Sequence, residues 1–202
     1  MIFVTHGFAS ATPNENTAFL TGLFPEEMVV GLNYPFSPTL AAAFFREAIP
    51  DGLEKDDAGV PPMFLGTSLG GFWAWRCAAW FNGIAVLINP ALTPWVTLQS
   101  RIGTCTNYKT GQHFTLTADD VANYQEYKVV SSKVPLLVLL DEGDELLDSA
   151  ETHRMMINQA EVITFPRGSH RFDHRVEAAS AIRGFRKNYA CPSPSGGSAP
   201  GL

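Results

Sequence analysis

The sequence predicts an α/β fold, a mostly parallel sheet with helices on both faces. Six short runs, residues 2–5, 28–32, 62–65, 84–88, 135–140 and 162–165, are nearly continuous in apolar residues, the pattern of strands buried on both faces. Helical or loop segments separate each run from the next. That alternation implies right-handed crossovers and a sheet with its functional loops at the strand C-termini. A third observation singles out one loop. Residues 66–70 read Gly-Thr-Ser-Leu-Gly, a G-x-S-x-G spacing set between an apolar strand and a helical pattern.

Residues 2–5 (IFVT) give the first strand, which ends at His6-Gly7-Phe8. Thr12-Pro13-Asn14-Glu15 has the form of a capping box with proline at the first helical position, so a helix is expected from there to about Leu23. Residues 28–32 form the next strand and Asn33-Tyr34-Pro35-Phe36 its loop, and Ser37-Pro38 opens a helix through Ile49. Residues 50–61 are acidic and turn-rich and read as a solvated loop. The serine turn follows, with Phe72, Trp73 and Trp75 on its helix, and then a strand over 84–88 closed by Asn89-Pro90.

Residues 91–133 are too long for one crossover helix. Trp95, Leu98 and Ile102 share a helical face, residues 107–111 form a turn, and Thr117-Ala118-Asp119-Asp120 caps a second helix carrying Val121 and Tyr124. This insertion is expected to lie over the sheet edge as a small helical lid. Val176, Ala179, Ile182 and Phe185 mark the final helix. The expected organisation is one domain over residues 1–189 and a disordered Pro/Ser/Gly-rich tail over 190–202.

At 202 residues the chain has room for one domain with a substantial core. Its net charge of −6 argues against nucleic acid or an anionic membrane as partner, because both require a basic face. No apolar run approaches the ~20 residues that span a bilayer, and the MIFVTHG start lacks the basic and long apolar regions of a signal peptide. Cys77, Cys105 and Cys191 are an odd number at unpatterned spacings, which fits free thiols in a reducing cytoplasm.

The strand–turn–helix around Ser68 predicts a nucleophile held in a strained turn, with Gly66 and Gly70 letting strand and helix approach closely. A serine hydroxyl needs an imidazole to take its proton. Of five histidines, His170 in Gly-Ser-His-Arg-Phe follows the last strand and precedes the final helix, where its loop returns to the serine. His113, His153 and His174 read as surface residues, and His6 as an anchor of its own loop. The acid should follow the strand over 135–140. Asp144 comes after Gly143, where the chain can turn its carboxylate back; Asp141 is the reserve, and Asp148 reads as a helix cap. The N–H groups of Phe8 and Leu69 are the expected oxyanion donors. Phe36, Trp95 and Leu146, with Phe8, are expected to line an acyl pocket, so uncharged or acyl-chain esters are expected rather than phosphorylated substrates. No ligand cluster for a metal is visible, and this chemistry needs no cofactor.

The order of Thr5-His6-Gly7-Phe8, Tyr34-Pro35-Phe36-Ser37-Pro38, Phe64-Leu65-Gly66-Thr67-Ser68-Leu69-Gly70-Gly71 and Leu87-Ile88-Asn89-Pro90-Ala91 resembles a known family. Tyr108-Lys109-Thr110-Gly111, Leu116-Thr117, Gly143-Asp144-Glu145-Leu146-Leu147-Asp148 and Gly168-Ser169-His170-Arg171-Phe172 continue the match to the final helix. The chain resembles the small bacterial α/β-hydrolase esterases of the YqiA/YcfP (UPF0227) type. That resemblance implies an abbreviated α/β-hydrolase fold with a six-stranded sheet, a short lid, and carboxylesterase or thioesterase activity on a Ser68, Asp144 and His170 triad. Arg171, beside the base, departs from the family's small residue and bears on pocket charge; the tail beyond Tyr189 has no counterpart. An acyltransferase, or a non-catalytic ligand-binding protein on the same scaffold, is the alternative.

Overall fold

The computed structural model describes residues 1–54, 59–129 and 133–190. Its strands are β1 (Ile2–Thr5), β2 (Val29–Leu32), β3 (Met63–Thr67), β4 (Ile84–Ile88), β5 (Gly103–Thr106), β6 (His113–Leu116), β7 (Leu136–Asp141) and β8 (Glu161–Phe165). Six of them form one sheet in the order β2-β1-β3-β4-β7-β8, and every pairing in it is parallel. The helices are α1 (Glu15–Leu23), α2 (Pro38–Leu53), α3 (Leu69–Trp80), α4 (Pro94–Thr97), α5 (Ala118–Asn123), α6 (Ser149–Met156) and α7 (Arg175–Ala190).

Alternation along the strands divides the core between the two faces. Ile2, Val4, Met63, Leu65, Val86 and Leu137 pack with Leu20 of α1 and with Ala178, Ile182 and Phe185 of α7. Phe3, Phe64, Leu87 and Val138 point the other way, into Phe45 of α2, Trp73 of α3 and Tyr124. Burial of both faces explains why the central strands have no polar residue at alternate positions.

Three local readings shift. The cap of α1 is Asn14, whose side chain accepts from the N–H groups of Asn16 and Thr17 while the Thr17 hydroxyl receives the Asn14 N–H; Thr12 lies outside the helix. The α2 helix does not stop at Ile49 but carries through Pro50 to Leu53, because Leu53 still packs on the core. Residues 55–58 of the expected loop lie outside the described residues. Val176 is 81% exposed. The buried stripe of α7 is instead Ala178, Ile182, Phe185 and Arg186.

Arg186 ties the end of α7 to the start of the sheet. Its Nε donates to Glu27 at 2.9 Å, the Glu27 carboxylate also receives the N-terminal amine at 3.3 Å, and Arg186 donates to the Pro61 carbonyl. Burial disfavours the Glu27 carboxylate, but Arg186 and the amine outweigh it and hold the carboxyl below its ordinary range.

The insertion is less helical than its pattern suggests. Trp95 lies in α4 and a 3-10 turn follows over Gln99–Arg101, but Ile102 leaves the helix. Gly103, at φ +124°, starts a strand, and β5 pairs antiparallel with β6 across a turn that uses Gly111 at φ +74°. Thr117 caps α5 as expected, accepting from the Asp120 N–H at 3.0 Å. The α7 helix runs to Ala190, and residues 191–202 of the expected tail lie outside the described residues. Among the described residues no helix is long and apolar enough to cross a membrane.

Candidate active site

Parallel strands bring four loops to one edge of the sheet: those after β1, β3, β7 and β8. Ser68 stands between β3 and α3 at φ +58° and ψ −125°, a backbone region that an L-residue occupies at a cost of ~1–3 kcal/mol. The surrounding hydrogen bonds enforce it. The Ser68 N–H donates to Ile88 O at 3.0 Å, while its carbonyl receives Gly71 N–H at 2.9 Å and Ala91 N–H at 3.0 Å. A Cβ on Gly66 would overlap the Gly70 carbonyl, and one on Gly70 would overlap the Thr5 carbonyl. The two glycines therefore allow α3 to start directly over β1 and β3. Thr5 Oγ1 fastens that contact by donating to Gly70 O at 2.7 Å.

Ser68, Leu69, Phe8, Leu146 and His170 line one cavity of about 710 Å³. The N–H groups of Phe8 and Leu69 have no acceptor among the described residues, nor has the Ser68 hydroxyl a hydrogen-bond partner. Leu69 is the first residue of α3, so its N–H lies at the positive end of the helix. The insertion supplies a further part of the wall through Thr97, Leu98, Ser100, Arg101, Tyr108 and Lys109.

Asp144 sits behind His170 rather than in the wall. Its side chain is 2% exposed, and Oδ1 and Oδ2 lie 2.9 and 2.8 Å from His170 Nδ1. The N–H groups of Leu146 and Leu147 fix Oδ1 at 2.8 and 2.9 Å. A carboxylate accepts and does not donate, so the proton of the neutral imidazole resides on Nδ1 and the lone pair is left on Nε2. The His170 N–H donates to Glu145 Oε2 at 2.9 Å. That bond, ahead of other influences, lowers the Glu145 pKa.

Asp141, the reserve acid, has a different partner. It is fully buried, and its carboxylate accepts from His174 Nδ1 at 2.7 Å, Asp173 N–H at 2.7 Å and Ser169 N–H at 3.1 Å. His174 is therefore no free surface residue: it precedes α7, stacks on Phe165 with ring centroids 5.1 Å apart, and completes a second Asp–His pair. Asn89 joins the same framework, accepting Asp141 N–H at 2.9 Å and donating to the carbonyls of Ser169 and His170 at 3.0 and 3.3 Å. The residue that follows β4 and the one that ends β7 thus hold the loop that carries His170.

Two of the expected pocket residues lie elsewhere. Phe36 stacks on Phe114 at 4.3 Å and meets Phe8 edge-on at 5.4 Å, so it supports Phe8 from behind instead of reaching the cavity. Trp95 is outside the wall too, and carries the Lys128 ammonium over its ring. Aromatic character marks both as apolar contacts, but sequence gives no means to tell the lining from its support. His6 is buried under Tyr34, with ring centroids 4.3 Å apart, and its Nδ1 donates to Gly7 O at 2.9 Å. Burial lowers its pKa to about 4, so the ring stays neutral and anchors the Gly7–Phe8 loop. A second concavity of about 710 Å³, against α1 and β2, contains none of Ser68, Asp144 and His170. Among the described residues no three His, Cys, Asp or Glu side chains converge as a metal site.

The family model described as Uncharacterised protein family (UPF0227) matches residues 1–187. A UPF0227 protein of Vibrio atlanticus is 26% identical over 187 residues, covering 92% of this chain and 99% of that protein. Among solved structures, Est1E from Butyrivibrio proteoclasticus superposes with a TM-score of 0.73 at 16% identity, covering 93% of this chain and 87% of that one. Paleococcus ferrophilus monoacylglycerol lipase gives 0.67 at 15% identity, with 93% and 94% covered. At such identities the likeness establishes the fold, an α/β-hydrolase fold.

Proposed function

The chain belongs to the UPF0227 family, and from that premise we propose that it is a serine hydrolase of carboxylic esters or thioesters. The observation that carries this reading is Ser68, held at φ +58° in the wall of a cavity it shares with a histidine whose far nitrogen is bonded to a buried aspartate. Substrate seated in that cavity brings the hydroxyl and imidazole together. Hydrogen bonds of this kind are often formed only in the substrate complex.

Ser68 Oγ attacks the acyl carbonyl and its proton passes to His170 Nε2. Asp144 holds the ring's tautomer and stabilises the imidazolium without taking the proton. The carbonyl oxygen, now an anion, is met by the N–H groups of Phe8 and Leu69; each such donor typically contributes ~3 kcal/mol to the transition state. Collapse expels the alcohol or thiol, which leaves with the proton from His170. Water, activated by the same base, then releases the acid and restores Ser68.

The insertion shapes the substrate pocket in this reading. Cys77 and Cys105 are free thiols, which suits a reducing cytoplasm, where we place the enzyme. The reading is tested by a panel of acyl esters and thioesters of graded chain length, run on wild type and Ser68→Ala. The expected result is turnover that falls about a thousandfold or more in the variant; turnover that survives the substitution refutes it.

A further inference from the structure

The cavity at Ser68 differs in charge from the chain as a whole. The protein carries a net charge of −6, yet Arg101, Lys109, Arg171 and Arg175 all stand in this wall against only Glu15 and Glu145. The two acids and one of the cations are already committed. Arg175 pairs with Glu15 at 3.1 Å and donates to the carbonyls of Phe172 and Arg171, and Glu145 receives the His170 N–H. Arg101, Lys109 and Arg171 have no ion pair among the described residues, and all three are exposed at the cavity.

Their backbones are fixed by independent contacts. Lys109 lies in the β5–β6 turn, where buried Asn107 accepts the Lys109 and Thr110 N–H groups at 2.9 and 3.0 Å. That turn is docked on the loop after β1: Tyr108 N–H donates to Ala9 O and Asn107 Nδ2 to Ser10 O, each at 2.8 Å. Arg101 ends the 3-10 turn of the insertion, and Arg171 directly follows the base, with its carbonyl held by Arg175 at 2.6 Å. Two neighbouring turns of the insertion and the loop after β8 therefore present cations to one pocket beside Ser68. Unpaired cations of one sign around a concave, partly apolar wall favour an anion, and raise its local concentration.

Resting on the hydrolase reading above, we propose that the substrate is an anionic ester or thioester, whose carboxylate or phosphate group is received by Arg101, Lys109 and Arg171 while its acyl carbonyl lies at Ser68. The pocket thus selects for charge at one end of the molecule and for apolar contact with Phe8, Leu146 and Leu147 nearer the carbonyl.

Two matched pairs of substrates test this. The carboxylate pair is the mono-p-nitrophenyl ester of glutaric acid against its neutral methyl ester, and the phosphate pair is a butyryl ester of glycerol phosphate against monobutyrylglycerol. In about 20 mM salt, kcat/KM for the charged member of at least one pair should exceed that of its neutral partner by ~10-fold or more. The preference should shrink severalfold in about 0.5 M salt, where screening shortens the reach of exposed charges. It should also shrink in the triple variant Arg101→Gln, Lys109→Gln, Arg171→Gln. The pair that responds identifies the anion. Ser68-dependent turnover with no charged preference in either pair, or a preference unchanged by salt, overturns the inference and leaves the hydrolase intact. No Ser68-dependent turnover of any of the four overturns the hydrolase reading, and this inference with it.

Discussion

His174 Nδ1 lies 2.7 Å from Asp141 Oδ1, so a second aspartate–histidine pair stands directly behind the loop that carries His170. Its carboxylate is fully buried and also receives the N–H groups of Ser169 and Asp173, which fixes the backbone on either side of the proposed base. The pair acts on geometry; it does not line the cavity.

Removing that carboxylate leaves three donors without their acceptor in a buried site. Asp141→Ala should destabilise the fold by ~3–5 kcal/mol and lower kcat through displacement of His170. Urea denaturation checks the first and ester turnover the second. A variant with wild-type stability and turnover would remove Asp141 from the account.

Asp144→Asn keeps the shape of the proposed acid but loses the charge and one of the two acceptor oxygens that face His170 Nδ1. Turnover should fall ~10²- to 10⁴-fold, while the denaturation midpoint shifts far less than in Asp141→Ala. Comparison of the two variants separates the acid proposed to serve chemistry from the acid proposed to serve the loop.

Sequence distinguishes these two carboxylates poorly, and the reason is physical. Asp141 and Asp144 both follow the apolar run of β7, and which one turns toward the base depends on the register of β7 against β8, where Asp141 pairs with Phe165. Ser68 and its strand–helix turn are far more legible, because Gly66 and Gly70 record a close approach that no other residue permits. The parallel sheet is legible for a similar reason: strands buried on both faces leave uninterrupted apolar runs. The β5–β6 hairpin is not, since it is short, half-exposed and set among helical turns, so its alternation is too brief to outweigh the pattern of Trp95 and Leu98. His174 was invisible as a partner because its contact reaches across 33 residues to another strand.

Gly70→Ala should be destabilising by ~2–4 kcal/mol, as its Cβ meets the Thr5 and His6 carbonyls and must push α3 off β1. Any folded fraction should show reduced turnover, because the same shift moves the Leu69 N–H. Thermal melting with parallel activity measurement checks both.

His6 gives a pH dependence to stability. Burial holds its native pKa at about 4, against about 6.5 when the chain is unfolded. The unfolded state therefore binds more protons throughout that interval, and stability present above pH ~6.5 is lost as pH falls toward 4, by on the order of 3 kcal/mol. His6→Asn should flatten this part of the stability profile relative to wild type, as read by denaturation at pH 7, 6, 5 and 4.

The proposed reaction requires Ser68 to be an activated nucleophile. Intact-mass spectrometry after treatment with a fluorophosphonate measures that directly. One adduct per chain is expected, located on Ser68 by fragmentation, abolished in Ser68→Ala and strongly slowed in His170→Ala. A wild-type protein that stays unlabelled, or one labelled at another residue, would contradict it.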